Sequence, residues 1–156
     1  NISQSNVHAY VFGEHGDSSF IPWSVANISN APILECDKLI TTPGIEKPKL
    51  DFVDIEQYVR KSGGRVIARK GATFYAVSIS VCHICKCLLG GVDTTMTVSS
   101  MMHGEYGIDD VCLSTLNLVG DDGIRGKVNV PLTDEEVAKL RLSADTLRDV
   151  IKNLEI

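Results

Sequence analysis

The stretch "HAYVFGEHGDSSF", His8 to Phe20, sets His15 between two glycines and close to two carboxylates, Glu14 and Asp17. Histidine is the side chain whose ordinary titration range allows proton exchange near neutrality. Glycine on either side lets a backbone or a ligand come close. A strand running out into a loop is where reactive groups are commonly mounted. His15 is therefore a candidate general acid and base. The same residues also make a plain turn, because Gly, Asp and Ser are turn formers and Asp17 or Ser18 could cap a following helix. The short stretch alone leaves both readings open.

The remaining sequence must supply the elements that position this loop. Val7 to Phe12 reads as a buried strand ending at Gly13. "SSFIPWSVANI" reads as a short helix or turn packed by its aromatics, and "ILECDKLITTPGIEKP" as a loop broken by Pro43, Gly44 and Pro48. From about Asp51 the apolar spacing becomes helical, with a weak point expected at Gly63 and Gly64 and a break at Gly71. A second helix is expected from about Thr73 to Leu89. It is apolar all round, the pattern of a helix buried on most sides. The period then changes to two in "TTMTVSSMM" and "DVCLSTLNLVG", with a third strand after a turn in "GDDGIRGKVNV". Thr133 and Glu136 form a T-x-x-E capping box, and Val137, Leu140, Ala144, Leu147 and Ile151 give the final helix its apolar stripe. The class is α+β, helices against a mostly antiparallel sheet.

Bulk properties narrow the functions. With 156 residues and 44% hydrophobic content the chain suits one domain with a sizeable core. A net charge of −5 and the lack of a basic stripe argue against nucleic acid. No apolar run approaches the roughly 18 residues of a membrane span. Asn1 opens no signal peptide, and the chain reads as a piece of a longer protein. Five cysteines, an odd count, read as free thiols. In "CHICKC", Cys82 and Cys85 share a helix face while Cys87 points elsewhere, so a four-ligand metal site is hard to build. Thiols buried as small hydrophobes are the expectation, with no metal bound.

"VHAYVFGEHGDSSFIPWS", "KGATFYAVSIS", "GEYGIDDVCLSTLNLVGDDGI" and "LTDEEVAKLRLSADTLRDVI" together resemble the C-terminal, substrate-binding domain of the L-lactate dehydrogenases, in order and over nearly the whole chain, residues 1–156. The fold this resemblance implies is the lactate/malate dehydrogenase C-terminal domain type, helices packed on a mostly antiparallel twisted sheet. It implies NAD as cofactor, pyruvate and L-lactate as substrates, a cytoplasmic location and a tetrameric homo-oligomer. His15 matches the family's proton shuttle. Thr73 matches a substrate-contacting threonine and could also be a helix N-cap. Val77 matches an apolar wall of the nicotinamide, and by itself would be ordinary core. His8 matches a histidine that helps bind fructose 1,6-bisphosphate in allosteric bacterial members, and is otherwise an interface residue at a strand start.

The malate dehydrogenases usually have glycine where this chain has Glu14, whereas the L-2-hydroxyisocaproate dehydrogenases keep the glutamate and are the alternative. No G-x-G-x-x-G fingerprint is present. Gly120, Gly123 and Gly126 lie close together, but Asp121 and Asp122 beside them would repel a pyrophosphate. By the resemblance, the dinucleotide-binding domain, the aspartate that orients the histidine and the arginine that clamps the substrate carboxylate precede Asn1. The 156-residue chain alone is therefore expected to show no turnover. A rival from another class is a folded module that only self-associates through apolar surface.

Overall fold

The computed structural model describes residues 2–39, 43–44 and 49–154. Among these residues two antiparallel three-stranded sheets form. The smaller joins β1 (Val7–His8), β2 (Asn27–Ile28) and β3 (Ala31–Pro32) in that order. The larger joins β4 (Thr94–His103), β5 (Asp109–Gly120) and β6 (Gly123–Lys127), with β5 central. The two period-two segments and the segment after the turn thus form the expected strands. Every second residue of β5 from Val111 to Val119 is buried, which is how one face of a strand meets a core.

Helix α5 (Asp134–Lys152) lies on this sheet. Its start is the expected capping box: the Thr133 hydroxyl accepts from the Glu136 amide, and the Glu136 carboxylate accepts from the Thr133 amide. Leu140 and Ala144 of the apolar stripe are fully buried, whereas Ile151 at the far end is exposed. They join Phe12, Phe20, Met102, Ile108, Val111, Leu113 and Leu116 in one core.

Between the sheets run α1 (Cys36–Leu39), α2 (Phe52–Arg60), α3 (Ser62–Lys70) and α4 (Tyr75–Leu89). Several expectations need correction here. The strand Val7–Phe12 pairs as a ladder only at Val7 and His8, and Phe12 and Gly13 make single bridges to Phe20 and Ser114. The expected loop begins instead with helical turns over residues 33–39, and its residues 40–42 and 45–48 lie outside those described. The helix break falls at Lys61, which ends α2 and begins α3, so that Gly63 and Gly64 occupy the first turn of α3. A first turn lacks intrahelical partners for its amides and tolerates glycine better than an interior. Gly71 ends α3 in the left-handed conformation at φ 80°, as its position suggested.

The largest correction concerns α4. It has no buried residue, and Val77, Ile79 and Val81 are all exposed. An apolar surface all round a helix records a demand for burial, and among the described residues contact with β5 answers it without burying any α4 residue fully. The thiols follow their helix: Cys82 and Cys85 are exposed and Cys87 half-buried, so they are not the buried hydrophobes expected.

Candidate active site

The loop carrying His15 is built from its glycines outward. Phe12 is fully buried and pairs edge-on with Phe20, their ring centroids 6.4 Å apart. The backbone bonds Phe12 N–Phe20 O and Phe20 N–Phe12 O close residues 13–19 into a tight excursion. Gly13 then turns at φ +99°, a conformation that favours glycine. A Cβ there would stand 2.6 Å from Ser143 Oγ, so residue 13 must be bare for the loop to lie on α5. A second anchor is the reciprocal pair between Gly13 and Ser114 of β5.

Glu14 folds back over the loop. Its Oε1 accepts from the Ser18 amide at 3.1 Å and from the Ser18 hydroxyl at 2.8 Å. Its own amide donates to Ser143 Oγ at 2.7 Å. Gly16 lies under this carboxylate, with a Cβ position 2.7 Å from Glu14 Oε1. Three residues on, Ser19 donates to Gly16 O and is itself held through its carbonyl. In this arrangement His15 is the exposed residue between two restrained neighbours.

Two further ties fix the segment that returns from the loop, residues 19–24. The Arg60 guanidinium donates twice to Ser19 O, at 3.1 and 2.7 Å, and pairs with Glu56 at 2.9 Å. Glu56 in turn accepts from the Ile21 amide at 3.3 Å. On the other side Glu136 accepts from the Ser24 amide at 3.0 Å and from the Ser24 hydroxyl. Burial pushes the Glu136 carboxyl up, but the hydrogen bonds from Ser24 and Thr133 outweigh it and hold the group below its ordinary value.

The other candidates are placed elsewhere. Thr73 is exposed just before α4; Phe74 holds the N-cap position without a side-chain bond, so Thr73 does not cap the helix. Among the described residues Thr73 and His15 share no hydrogen bond. Val77 stands on α4, 52% exposed, and is not core. His8 is exposed in β1, opposite Asn27. An apolar groove of about 320 Å³, lined in part by Val7, Tyr10, Trp23, Phe52 and Val59, lies beside α2 and does not include His15.

Ser143 and the Glu136–Ser24 bonds were not foreseen. Ser143 had a signal: a serine three residues after Leu140, on the buried face of an otherwise apolar stripe. Ser24 had none, because its partner lies at the far end of the chain. No group of three or more metal-ligating side chains occurs among the described residues. No described helix is long and apolar enough to cross a membrane.

Comparison with known proteins accounts for this architecture. Residues 1–155 match the lactate/malate dehydrogenase, alpha/beta C-terminal domain. An L-lactate dehydrogenase of Acetivibrio thermocellus is 39% identical over 99% of this chain and 48% of its own length. The solved structure of a minor L-lactate dehydrogenase from Enterococcus mundtii superposes with a TM-score of 0.86 at 28% identity, covering 99% of this chain and 48% of that one. A malate dehydrogenase from Archaeoglobus fulgidus, solved in complex with NADH, gives a TM-score of 0.78 at 29% identity over 96% of this chain and 44% of that one. The chain spans about half the length of the curated relatives it matches. It belongs to the lactate/malate dehydrogenase family, as the alpha/beta C-terminal domain of that family.

Proposed function

We propose that this chain is the substrate-binding and proton-transfer half of an NAD-dependent L-lactate dehydrogenase interconverting pyruvate and L-lactate. The observation that carries the proposal is the loop Gly13–Ser18, whose neighbouring residues are tied to α5 and β5 while the His15 imidazole faces outward. A group held at its backbone and free at its ring suits transfer of a proton to a bound substrate. As imidazolium, His15 donates a hydrogen bond to the C2 carbonyl oxygen of pyruvate and delivers its proton there. In the reverse direction it accepts the proton of the lactate hydroxyl. The Thr73 hydroxyl contacts the same substrate from the turn before α4.

NAD, when bound, supplies or accepts the hydride. Its fit to this chain is partial. The exposed Val77 side chain offers an apolar wall for a flat ring. The closely spaced glycines around residue 123 offer no phosphate cradle, since Asp121 and Asp122 there already pair with Arg125. This chain's share of the cofactor contact is therefore the wall at Val77. The similar proteins named as L-lactate dehydrogenases support pyruvate as substrate, and the NADH in the malate dehydrogenase structure supports NAD. The same reading gives a cytoplasmic, tetrameric enzyme in which His8, exposed in β1, contributes to a fructose 1,6-bisphosphate site at a subunit contact.

The test is NADH oxidation by the protein with its dinucleotide-binding half, using pyruvate, 2-oxoisocaproate and oxaloacetate, each with and without fructose 1,6-bisphosphate. Pyruvate is expected to be preferred, and His15→Asn to lower kcat by about 10²–10⁴-fold. Preference for 2-oxoisocaproate would move the substrate to branched acids and leave His15 in place. Activity unchanged by His15→Asn would remove the proton-transfer role. Activation by the bisphosphate that disappears in His8→Ala would support the effector site, and activation that survives would remove it.

A further inference from the structure

Ser143 is a fully buried hydroxyl on α5, and the proton transfer described above does not use it. It belongs to a hydrogen-bonded ring with Glu14 and Ser18. Glu14, as a carboxylate, only accepts. Ser18 has one hydroxyl proton and two acceptors within reach, Glu14 Oε1 at 2.8 Å and Ser143 Oγ at 3.0 Å. The charged acceptor makes the stronger bond. The same Ser18 hydroxyl is shared with Ser143 Oγ, which also accepts from the Glu14 amide at 2.7 Å. The ring closes through these contacts: Ser18 to the Glu14 carboxylate, Ser18 to Ser143, and the Glu14 amide to Ser143. Gly13 and Gly16 make room for it, one against Ser143 and the other under Glu14.

We propose that Ser143 and Glu14 are positioning residues for His15, holding the backbone on both sides of the imidazole through this ring. The proposal rests on the reading of His15 as the proton donor. His15 lies within the span the ring ties down, between the Glu14 amide and the Ser18 amide. Displacing a reacting group by about 1 Å can cost about 100-fold in rate. The ring therefore bears on the chemical step through the position of His15. It also gives Glu14 a task that a glycine in its place could not perform, since glycine has no carboxylate to receive Ser18.

The experiment uses the protein with its dinucleotide-binding half and the variants Ser143→Ala, Glu14→Ala and Glu14→Gln. Steady-state kinetics with pyruvate are paired with amide hydrogen exchange of residues 13–18. Ser143→Ala and Glu14→Ala are expected to lower kcat by about 10- to 100-fold, with a much smaller change in KM. Exchange at residues 13–18 should quicken while exchange in β4 and β5 stays slow. Glu14→Gln keeps an acceptor oxygen for Ser18 and should recover most of the loss. Native kcat together with slow loop exchange in both alanine variants would overturn the proposal, as would a loss in Glu14→Ala that Glu14→Gln does not repair. If Ser143→Ala fails to fold, the Glu14 pair decides alone, since Glu14 is not fully buried. An unsubstituted protein inactive on pyruvate would sink the functional reading, and the exchange data would still judge the ring.

Discussion

Two regions of this chain treat their apolar residues in opposite ways. The sheet β4–β6, helix α5 and the strands flanking His15 bury Phe12, Phe20, Met102, Leu113 and Leu140 almost completely. The helices α2, α3 and α4 bury nothing fully, and α4 exposes Val77, Ile79 and Val81 while Ile84, Cys87 and Leu88 are half-buried. His15 belongs to the first region; Val77 lies in the second and Thr73 just before α4. The chain's own core therefore fixes the residue proposed to transfer the proton, whereas the proposed substrate and cofactor contacts sit at and on a helix with no buried residue.

That contrast can be broken or sharpened by substitution in this chain. Phe12→Ala empties the centre of the first region and should destabilise by about 3–5 kcal/mol. Denaturant unfolding measures it, and a cost under about 1 kcal/mol would mean that the region is not a tightly packed core. Glu136→Gln should cost about 1.5–3 kcal/mol at neutral pH, because both carboxylate oxygens accept hydrogen bonds here and an amide keeps only one acceptor oxygen, without the charge. Its pH dependence has a definite sign. The folded-state value of Glu136 is held below the ordinary one. The stability it adds is therefore fully present above the unfolded carboxylate value and lost as pH falls through the lower folded value. The gap between the native chain and Glu136→Gln should close over that acidic window, and a gap that is constant with pH would contradict the assignment.

Thr133→Ala removes only the other half of the capping box and should cost about 1 kcal/mol, read from the denaturation midpoint. Ile79→Ala in α4 should change stability by no more than about 0.5 kcal/mol, because the side chain is 71% exposed. A loss several times larger would place α4 inside a packed interface and end the contrast.

How much of this was legible in the sequence follows the same division. The strands β4 to β6 and helix α5 stood out because alternation and the Thr133–Glu136 spacing are local signals that tertiary contacts reinforce. For α4 the helix itself was legible, but its burial was misjudged. Composition states which residues prefer to leave water, not which neighbour removes them. The short ladder at β1 was read too long because Phe12 and Gly13 bond to Phe20 and Ser114, one a return of the same segment and the other a distant strand. His15 was legible as a candidate from its glycines. The support from Ser143 was not, since that residue meets Glu14 and Ser18 only across the folded domain.

The contact between the Glu14 amide and Ser143 joins residues 129 positions apart. The loop around His15 therefore cannot reach its final form during synthesis until the closing helix has been made and has docked. Until then Gly13, chosen for a partner not yet present, leaves the segment freer than any other residue would. A nascent chain that has already presented His15 to solvent is still unable to hold it in place, and the loop's order reports that translation has run on through α5. Removing α5 from the far end of the chain would undo the same loop.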